Sequence, residues 1–262
     1  MILKDVVLIT GATSGIGYEF SKIFAKNNYD LLLNGRNNYI LLEMKEKLEK
    51  DFNINVYTYC CDLKSEDEVL KLYKFSKNNN LNVNILINNA GIGYNGEFSN
   101  ISWEKHKEVI DLNIKALTYL TLLVIKDMKV ENKGKILNVA STGAYQPGPY
   151  IAVYYATKAY VLSFTNGLRQ EVKDKNIFIT TLSPGATKTK FSFRAGKGDL
   201  KVSMDPKKVA EKGYKALMKN KANEIPGIMN KVLVFLSKIS PTVINGKVVK
   251  KIQQTAINKK KK

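Results

Sequence analysis

Val6-Val7-Leu8-Ile9 is an unbroken apolar run that leads directly into Thr10-Gly11-Ala12-Thr13-Ser14-Gly15-Ile16-Gly17. Beyond the glycines, Phe20, Ile23 and Phe24 mark the apolar face of a helix reaching about Asn27. A run apolar at every position suits a strand covered on both faces, the situation of a parallel sheet between two layers of helices. Strand, glycine turn and helix in that order also open a dinucleotide-binding unit. Gly11 permits the tight turn, Gly15 lets the backbone approach a pyrophosphate, and Gly17 lets helix and strand pack closely. The helix N-terminus then offers free N–H groups and partial positive charge to phosphates. The spacing is G-x-x-x-G-x-G, a departure from the usual G-x-G-x-x-G.

The same alternation continues along the chain. Strands are expected near 5–10, 30–34, 55–60, 84–88, 134–140 and 176–182, and helices near 15–27, 38–50, 65–78, 102–130 and 152–173. This order implies an α/β fold, a Rossmann-like doubly wound parallel sheet with helices on both faces and right-handed crossovers. Ligands of such sheets bind beyond the carboxyl ends of the strands, where the strand order reverses. The 262 residues, 44% of them hydrophobic, read as one domain. Its core covers about 1–192, a substrate loop about 185–204, and a helical, basic C-terminal extension about 205–262. Within that extension Asp205-Pro206 reads as N-cap and first residue of a helix ending near Lys219. Glu224-Ile225-Pro226-Gly227 suggests a short strand and turn, and 228–239 a helix with one broad apolar face.

Three side chains carry the chemistry. Tyr154 and Lys158 stand at i and i+4, so a helix brings phenol and ammonium to one face. A tyrosine of ordinary pKa, about 10, shuttles protons poorly at neutral pH. A fixed cation beside it is expected to bring that pKa down. Ser141, upstream, can hold the oxygen that exchanges the proton. Tyr155 is the rival phenol, one position closer to Lys158. At the end of the second strand, no carboxylate lies between Leu31 and Ile40, whereas Arg36 does. A carboxylate there would bind the ribose 2′-hydroxyl of NAD, and a guanidinium suits the 2′-phosphate of NADP. NADP(H) is therefore favoured over NAD(H), with Arg36 as a solvated loop charge the competing reading.

Together these residues resemble the short-chain dehydrogenase/reductase family over roughly Asp5 to Phe191. The glycine turn matches Thr10 to Gly17, including Thr13, Ser14 and Ile16. Asn88-Asn89-Ala90-Gly91 matches the family's sheet-stabilising motif, with Asn89, Ala90 and Gly91 at the cofactor. The resemblance implies that Asp62 and Leu63 meet the adenine edge, and that Pro184, Gly185, Thr187 and Thr189 face the nicotinamide carboxamide. It also implies that Asn113 kinks a long helix and holds a water for a proton relay. With Ser141, Tyr154 and Lys158, Asn113 completes the family's active-site tetrad. The implied activity is NADPH-dependent reduction of a carbonyl to an alcohol, or its reverse. Ser141 and Tyr154 would hold the oxygen, Tyr154 would donate the proton, and Lys158 would bind the nicotinamide ribose. The C-terminal ending is similar to that of ketoacyl and keto-lipid reductases, which points to apolar ketone or acyl substrates. Similar proteins form dimers or tetramers through the helices expected at 102–130 and 152–173. A non-catalytic nucleotide sensor on the same fold is the competing class, against which the complete tetrad argues.

Other chemistries are excluded or bounded. His106 is the sole histidine, which removes Ser-His-Asp hydrolysis and histidine-based zinc sites; no metal is expected. Cys60 and Cys61 read as small core residues of a buried strand. No apolar stretch has the length of a membrane span, and Met1 runs at once into the first strand, so a cytoplasmic location is expected. The richness in Asn and Lys is read as source-genome composition, without chemistry. The formal charge of +19 is concentrated at the end, where 201–262 holds sixteen lysines against three acids. One reading is solubility and a frayed tail. The other is an anionic partner: a membrane surface, an acyl carrier or a CoA ester, with no nucleic acid expected. The 228–239 helix likewise either closes the pocket or a subunit contact, or lies on lipid.

Overall fold

The computed structural model describes residues 3–194 and 203–258. Seven parallel strands form one sheet in the order β3-β2-β1-β4-β5-β6-β7. They are β1 (Lys4–Ile9), β2 (Asp30–Gly35), β3 (Val56–Cys60), β4 (Leu81–Asn88), β5 (Gly134–Val139), β6 (Ile177–Leu182) and β7 (Asn223–Glu224). The order reverses between β1 and β4, which opens a crevice at their carboxyl ends.

Alternate residues of each strand feed opposite faces. Val7, Ile9, Leu31 and Leu33 pack on α1 (Gly15–Lys26) and α2 (Asn38–Phe52), through residues such as Phe20, Phe24 and Leu41. Val6, Leu8 and Leu32 join Leu72, Leu120 and Val124 on the other face. Those last three belong to α3 (Glu66–Asn78) and α5 (Leu117–Glu131). Both faces being covered explains the unbroken apolar runs of the central strands, Val6–Ile9 and Leu31–Leu33. The helix expected at 102–130 is two α segments, α4 (Trp103–Ile110) and α5, joined by a π-helical stretch Asp111–Ala116. The expected helix at 152–173 is α6 (Ala152–Glu171).

Two expectations are corrected. Cys60 closes β3 with an exposed side chain, and Cys61 alone is buried, its thiol pushed up to about 12 chiefly by burial. The asparagines also do structural work. Among the described residues, five of the six non-glycine positions with positive φ are Asn28, Asn53, Asn80, Asn132 and Asn220. Each stands between a helix and the following strand, where a left-handed residue stops the helix and asparagine tolerates that conformation.

In the last third α8 (Pro206–Met218), β7 and α9 (Ile228–Ile239) stand where a helix, a short strand and a helix were expected, and α7 (Lys190–Arg194) and α10 (Thr242–Asn258) are further helices of the loop and the extension. Asp205 caps α8, its carboxylate accepting from Lys207 N at 2.8 Å. The expected substrate loop contains α7 and is pinned by a bridge between Thr187 and Met204. Its 195–202 stretch and the Phe193 side chain lie outside the described residues, as does the tail 259–262. Among the described residues, no helix is long and apolar enough to cross a membrane.

A buried polar ladder ties the centre together. Asn88 Nδ2 donates to Thr121 Oγ1 and Asn138 Oδ1, at 2.9 and 2.8 Å, and Asn138 Nδ2 donates to Thr165 Oγ1 at 2.9 Å. It links β4, α5, β5 and α6 inside a buried layer. Asn138→Leu takes one of its two acceptors from Asn88 Nδ2 and the amide donor from Thr165 Oγ1, a buried loss that costs about 1–3 kcal/mol in mutational series. The urea midpoint should fall accordingly with unchanged slope; an unmoved midpoint would show that the ladder contributes no net stability.

Candidate active site

The nucleotide end is built around a clamp between β1 and β4. Thr10 Oγ1 accepts from both Asn89 N and Ala90 N at 3.0 Å. In return Asn89 Nδ2 donates to Thr10 O at 2.9 Å and Gly11 O at 3.1 Å. Gly11 and Gly15 hold φ of +64° and +59°, conformations that a side chain would strain. A methyl group on Gly17 would run into the Gly11 carbonyl and stand 2.5 Å from Asn89 Nδ2. Ser14 occupies the N-cap of α1 without a side-chain cap bond, and the first turn has no acid. The first N–H groups of α1 are thus left for an anion. Thr13 packs on Gly35, and Thr189 reaches Gly15 from the opposite wall. Ile16 turns into the core below.

Arg36 follows the end of β2, with its guanidinium 3.7 Å from Asp62. Asp62 is half-buried, whereas Leu63 is 5% exposed and packs in the core. The charge chain continues through residues that the sequence did not single out. Lys64 stands 3.5 Å from Asp62 and donates to Glu108 at 2.6 Å, and Tyr94 donates to Glu108 at 2.6 Å. Lys64 first and Tyr94 second hold the Glu108 carboxyl below the usual carboxylate range.

At the other end of the crevice, Ser141, Tyr154, Lys158 and Asn113 converge. Tyr154 and Lys158, at one face of α6, are 8% and 4% exposed. Lys158 Nζ donates to Val139 O at 2.8 Å and lies 5.7 Å from the Tyr154 ring centre. Burial pushes the Lys158 ammonium down to about 8. Burial raises the Tyr154 phenol, with the hydrogen bond to Ser141 acting in the opposite sense. This reverses the expected direction. Desolvation of the phenolate outweighs a lysine that is itself buried and directed at a carbonyl. Ser141 Oγ also accepts from Gly143 N at 3.1 Å.

Asn113 sits in the π-helical stretch with its amide fully engaged. Its Oδ1 accepts from Ile92 N at 3.0 Å, and its Nδ2 donates to Ile92 O at 2.9 Å and Thr157 Oγ1 at 3.0 Å. Thr157 Oγ1 donates to Tyr154 O at 2.7 Å, so one hydroxyl couples Asn113 to the helix turn bearing the phenol. A methyl group on Gly91 would stand 3.3 Å from Asn113 Oδ1 and 3.4 Å from Lys158 Nζ. Both groups therefore border the space that Gly91 keeps open. Tyr155 occupies a different place. Its ring packs on Gly143 and Gly148 and its hydroxyl bonds Gln253. Tyr154 is thus the phenol shared with Ser141 and Lys158, and its ring meets Gly93 and Phe191, the latter at 5.2 Å.

The wall from β6 carries the remaining residues. Pro184 O accepts from Thr142 N at 2.9 Å, Thr187 Oγ1 donates to Gly185 O at 3.0 Å, and Gly185 faces Asn230 of α9. The crevice as a whole suits a dinucleotide: glycine backbone and open N–H groups for phosphates, a cation beside the end of β2, and amine, hydroxyl and phenol at the far end. Thr157, the Val139 carbonyl and the Glu108 cluster went unread because they act through backbone, through a helix hydroxyl or across the crevice. Of these only Thr157 left a signal, its position three residues after Tyr154 on the same helix.

Comparison with known proteins gives the family. A family model described as short chain dehydrogenase matches residues 5–198. An uncharacterized oxidoreductase of Staphylococcus saprophyticus is 31% identical over 216 residues, 82% of this chain and 92% of that one. A very-long-chain 3-oxoacyl-CoA reductase of Rattus norvegicus is 31% identical over 196 residues, 72% of this chain and 62% of that one. Among solved structures, a short-chain dehydrogenase from Sphingobium yanoikuyae in complex with NADPH superposes with a TM-score of 0.81 at 28% identity, covering 91% of this chain and 97% of that one. The match spans the glycine turn, the clamp and all four converging residues, and it places this chain in the short-chain dehydrogenase family of oxidoreductases.

Proposed function

We propose that the chain reduces the carbonyl of an apolar, acyl-bearing substrate to an alcohol with NADPH as coenzyme. The observation that carries this reading is the buried Tyr154 phenol, bonded to Ser141 and adjoining Lys158. When bound, NADPH supplies the hydride that the protein itself lacks. Ser141 and Tyr154 donate hydrogen bonds to the carbonyl oxygen as negative charge develops on it. Burial keeps Tyr154 in its phenol form, the form that can give a proton. Lys158 stabilises the phenolate left behind, and Asn113 holds the path through which the proton is replaced.

Arg36 is the ligand proposed for the 2′-phosphate, with Thr10 to Gly17 and Asn89 to Gly91 along the dinucleotide. Asp62 and Leu63 lie at the adenine end, and Pro184, Gly185, Thr187 and Thr189 along the nicotinamide. The NADPH complex of the Sphingobium relative supports this preference. The acyl reading is supported by the Rattus relative's name and by the apolar cluster of Val109, Ile151, Val249 and Phe191 around Tyr154. Self-association through the long helix of α4 and α5 and through α6, as a dimer or tetramer, belongs to the same proposal.

Tyr154→Phe should lower kcat on a panel of aliphatic and 3-oxoacyl ketones by about 10²–10⁴. NADPH binding, read by fluorescence, should be retained; unchanged turnover would remove the proton-donor role. Arg36→Ala should raise the KM for NADPH about tenfold or more while leaving that for NADH nearly unchanged, on the scale of one charge-assisted contact. Equal effects on both would discredit the cofactor assignment.

The pH dependence separates chemistry from folding. Lys158 titrates near 8 in the folded chain against an ordinary 10.5. Below about pH 8 both folded and unfolded chains hold the proton, and the fold bears the full cost of a buried ammonium. Between the two values the unfolded chain holds more protons, so stability rises with pH while the charge needed for reduction is lost. Reduction should therefore decline above about pH 8 as the thermal midpoint gains relative to Lys158→Met. A rate that stays level through this range would take the Lys158 charge out of the reaction.

A further inference from the structure

After Glu224 the chain contains nine lysines and neither Asp nor Glu. Within this segment 228–239 and 242–258 form α9 and α10, and α9 is inverted relative to an ordinary surface helix, which turns its apolar stripe inward. Its buried residues are Val234 and Ser237. Ile228, Met229, Leu233, Phe235 and Ile239 are each more than half exposed, Ile228 reaching 83%. On α10, Ile244, Val248 and Ile252 form a second open line, one every four residues and each more than half exposed.

The inner faces are firmly seated. Val249 and Gln253 of α10 are each 3% exposed, and Asn95 Nδ2 donates to Gln253 Oε1 at 2.9 Å. Gln254 Nε2 donates to Tyr150 OH at 2.8 Å, and Asn230 of α9 donates to Pro226 O at 2.7 Å. Two anchored helices thus hold an apolar surface toward solvent, the mark of an interaction site.

Charge selects the occupant. A second copy on this surface would bring together two acid-free segments, each with nine lysines, and like charges oppose that contact. Lys247, Lys250 and Lys251 are exposed on α10 beside the apolar line. Lys231 and Lys238 flank α9, the first 3.9 Å from Glu224 and the second over the Tyr145 ring at 5.1 Å. Apolar side chains bordered by long lysines suit the headgroup layer of an anionic bilayer, where the stems lie along the acyl boundary and the ammonium groups meet phosphates.

We propose that the outer faces of α9 and α10 dock this protein on an anionic lipid surface. The docked helices also border the active crevice. Asn230 packs against Gly185, and Val249 joins the cluster around Tyr154. Docking would bring the rim of that crevice to the lipid. The docking itself is independent of which carbonyl is reduced.

The test is flotation of the full chain with vesicles of phosphatidylcholine alone or mixed with phosphatidylglycerol. Binding is expected on the mixed vesicles, weakened at least tenfold on the neutral ones and by added salt, on the pattern of basic interfacial helices. The double variant Phe235→Ser and Ile239→Ser, at two exposed positions, should lose about tenfold or more of that binding while keeping its thermal midpoint. Lys250→Glu with Lys251→Glu should lose it too. Three results would overturn the proposal: no flotation, equal flotation on both vesicles, or a dimer in solution that the serine variant dissociates without any lipid binding.

Discussion

Everything at the carboxyl edge of the sheet depends on the exchange of hydrogen bonds between Thr10 and Asn89. These residues end neighbouring strands on the two sides of the point where strand order reverses. At such a point the chains diverge, and nothing in the ladder beyond it fixes one loop against the other. Four hydrogen bonds from two side chains supply that constraint. They fix the glycine turn to the strand whose continuation, Gly91 to Gly93, forms the floor beneath Lys158 and Tyr154. The coenzyme half and the proton half of the proposed site are therefore one rigid piece.

Around that piece, burial sets the electrostatics. Tyr154 and Lys158 are both desolvated, and desolvation acts on them in opposite directions, raising the phenol and lowering the amine. Each shift favours the neutral form, and below about pH 8 the pair still holds both protons, as phenol and ammonium. The Val139 carbonyl satisfies the lysine head without neutralising it. A site of this kind stores its reactivity as an environment: any developing negative charge nearby is attracted by an ammonium that little water screens.

Most of the architecture was legible because β1, β2 and the second half of β4 carry apolar runs with a glycine or asparagine close by. The doubly covered strands at Val6–Ile9 and Leu31–Leu33 left no ambiguity between helix and sheet. Tyr154, Lys158 and Ser141 were legible from spacing alone. The direction of the Tyr154 shift was not, because spacing reports proximity and says nothing of how much water is removed. Cys60 was misjudged for a related reason: the final residue of a strand escapes the layer that covers its interior. The same limit applies to α9. Periodicity identified its apolar face, but which way a face points is decided by the side chains on the opposite surface, here Val234 and Ser237. The tight coupling of Asn113 through Thr157 was unread because a hydroxyl inside a helix carries no signature of its partner.

The π-helical stretch at Asp111–Ala116 has a consequence for how this protein can change. Such a turn holds one more residue than an α turn. Excising a single residue there would let the helix close into regular winding while Trp103–Ile110 and Leu117–Glu131 keep nearly their present phase. Glu108 would stay beside Lys64 and Tyr94, and only the stretch that carries Asn113 would rewind. A deletion within either flanking helix finds no such slack and would turn one helix by about 100° against the other, so the tolerance of this long helix to lost residues is concentrated at its π turn.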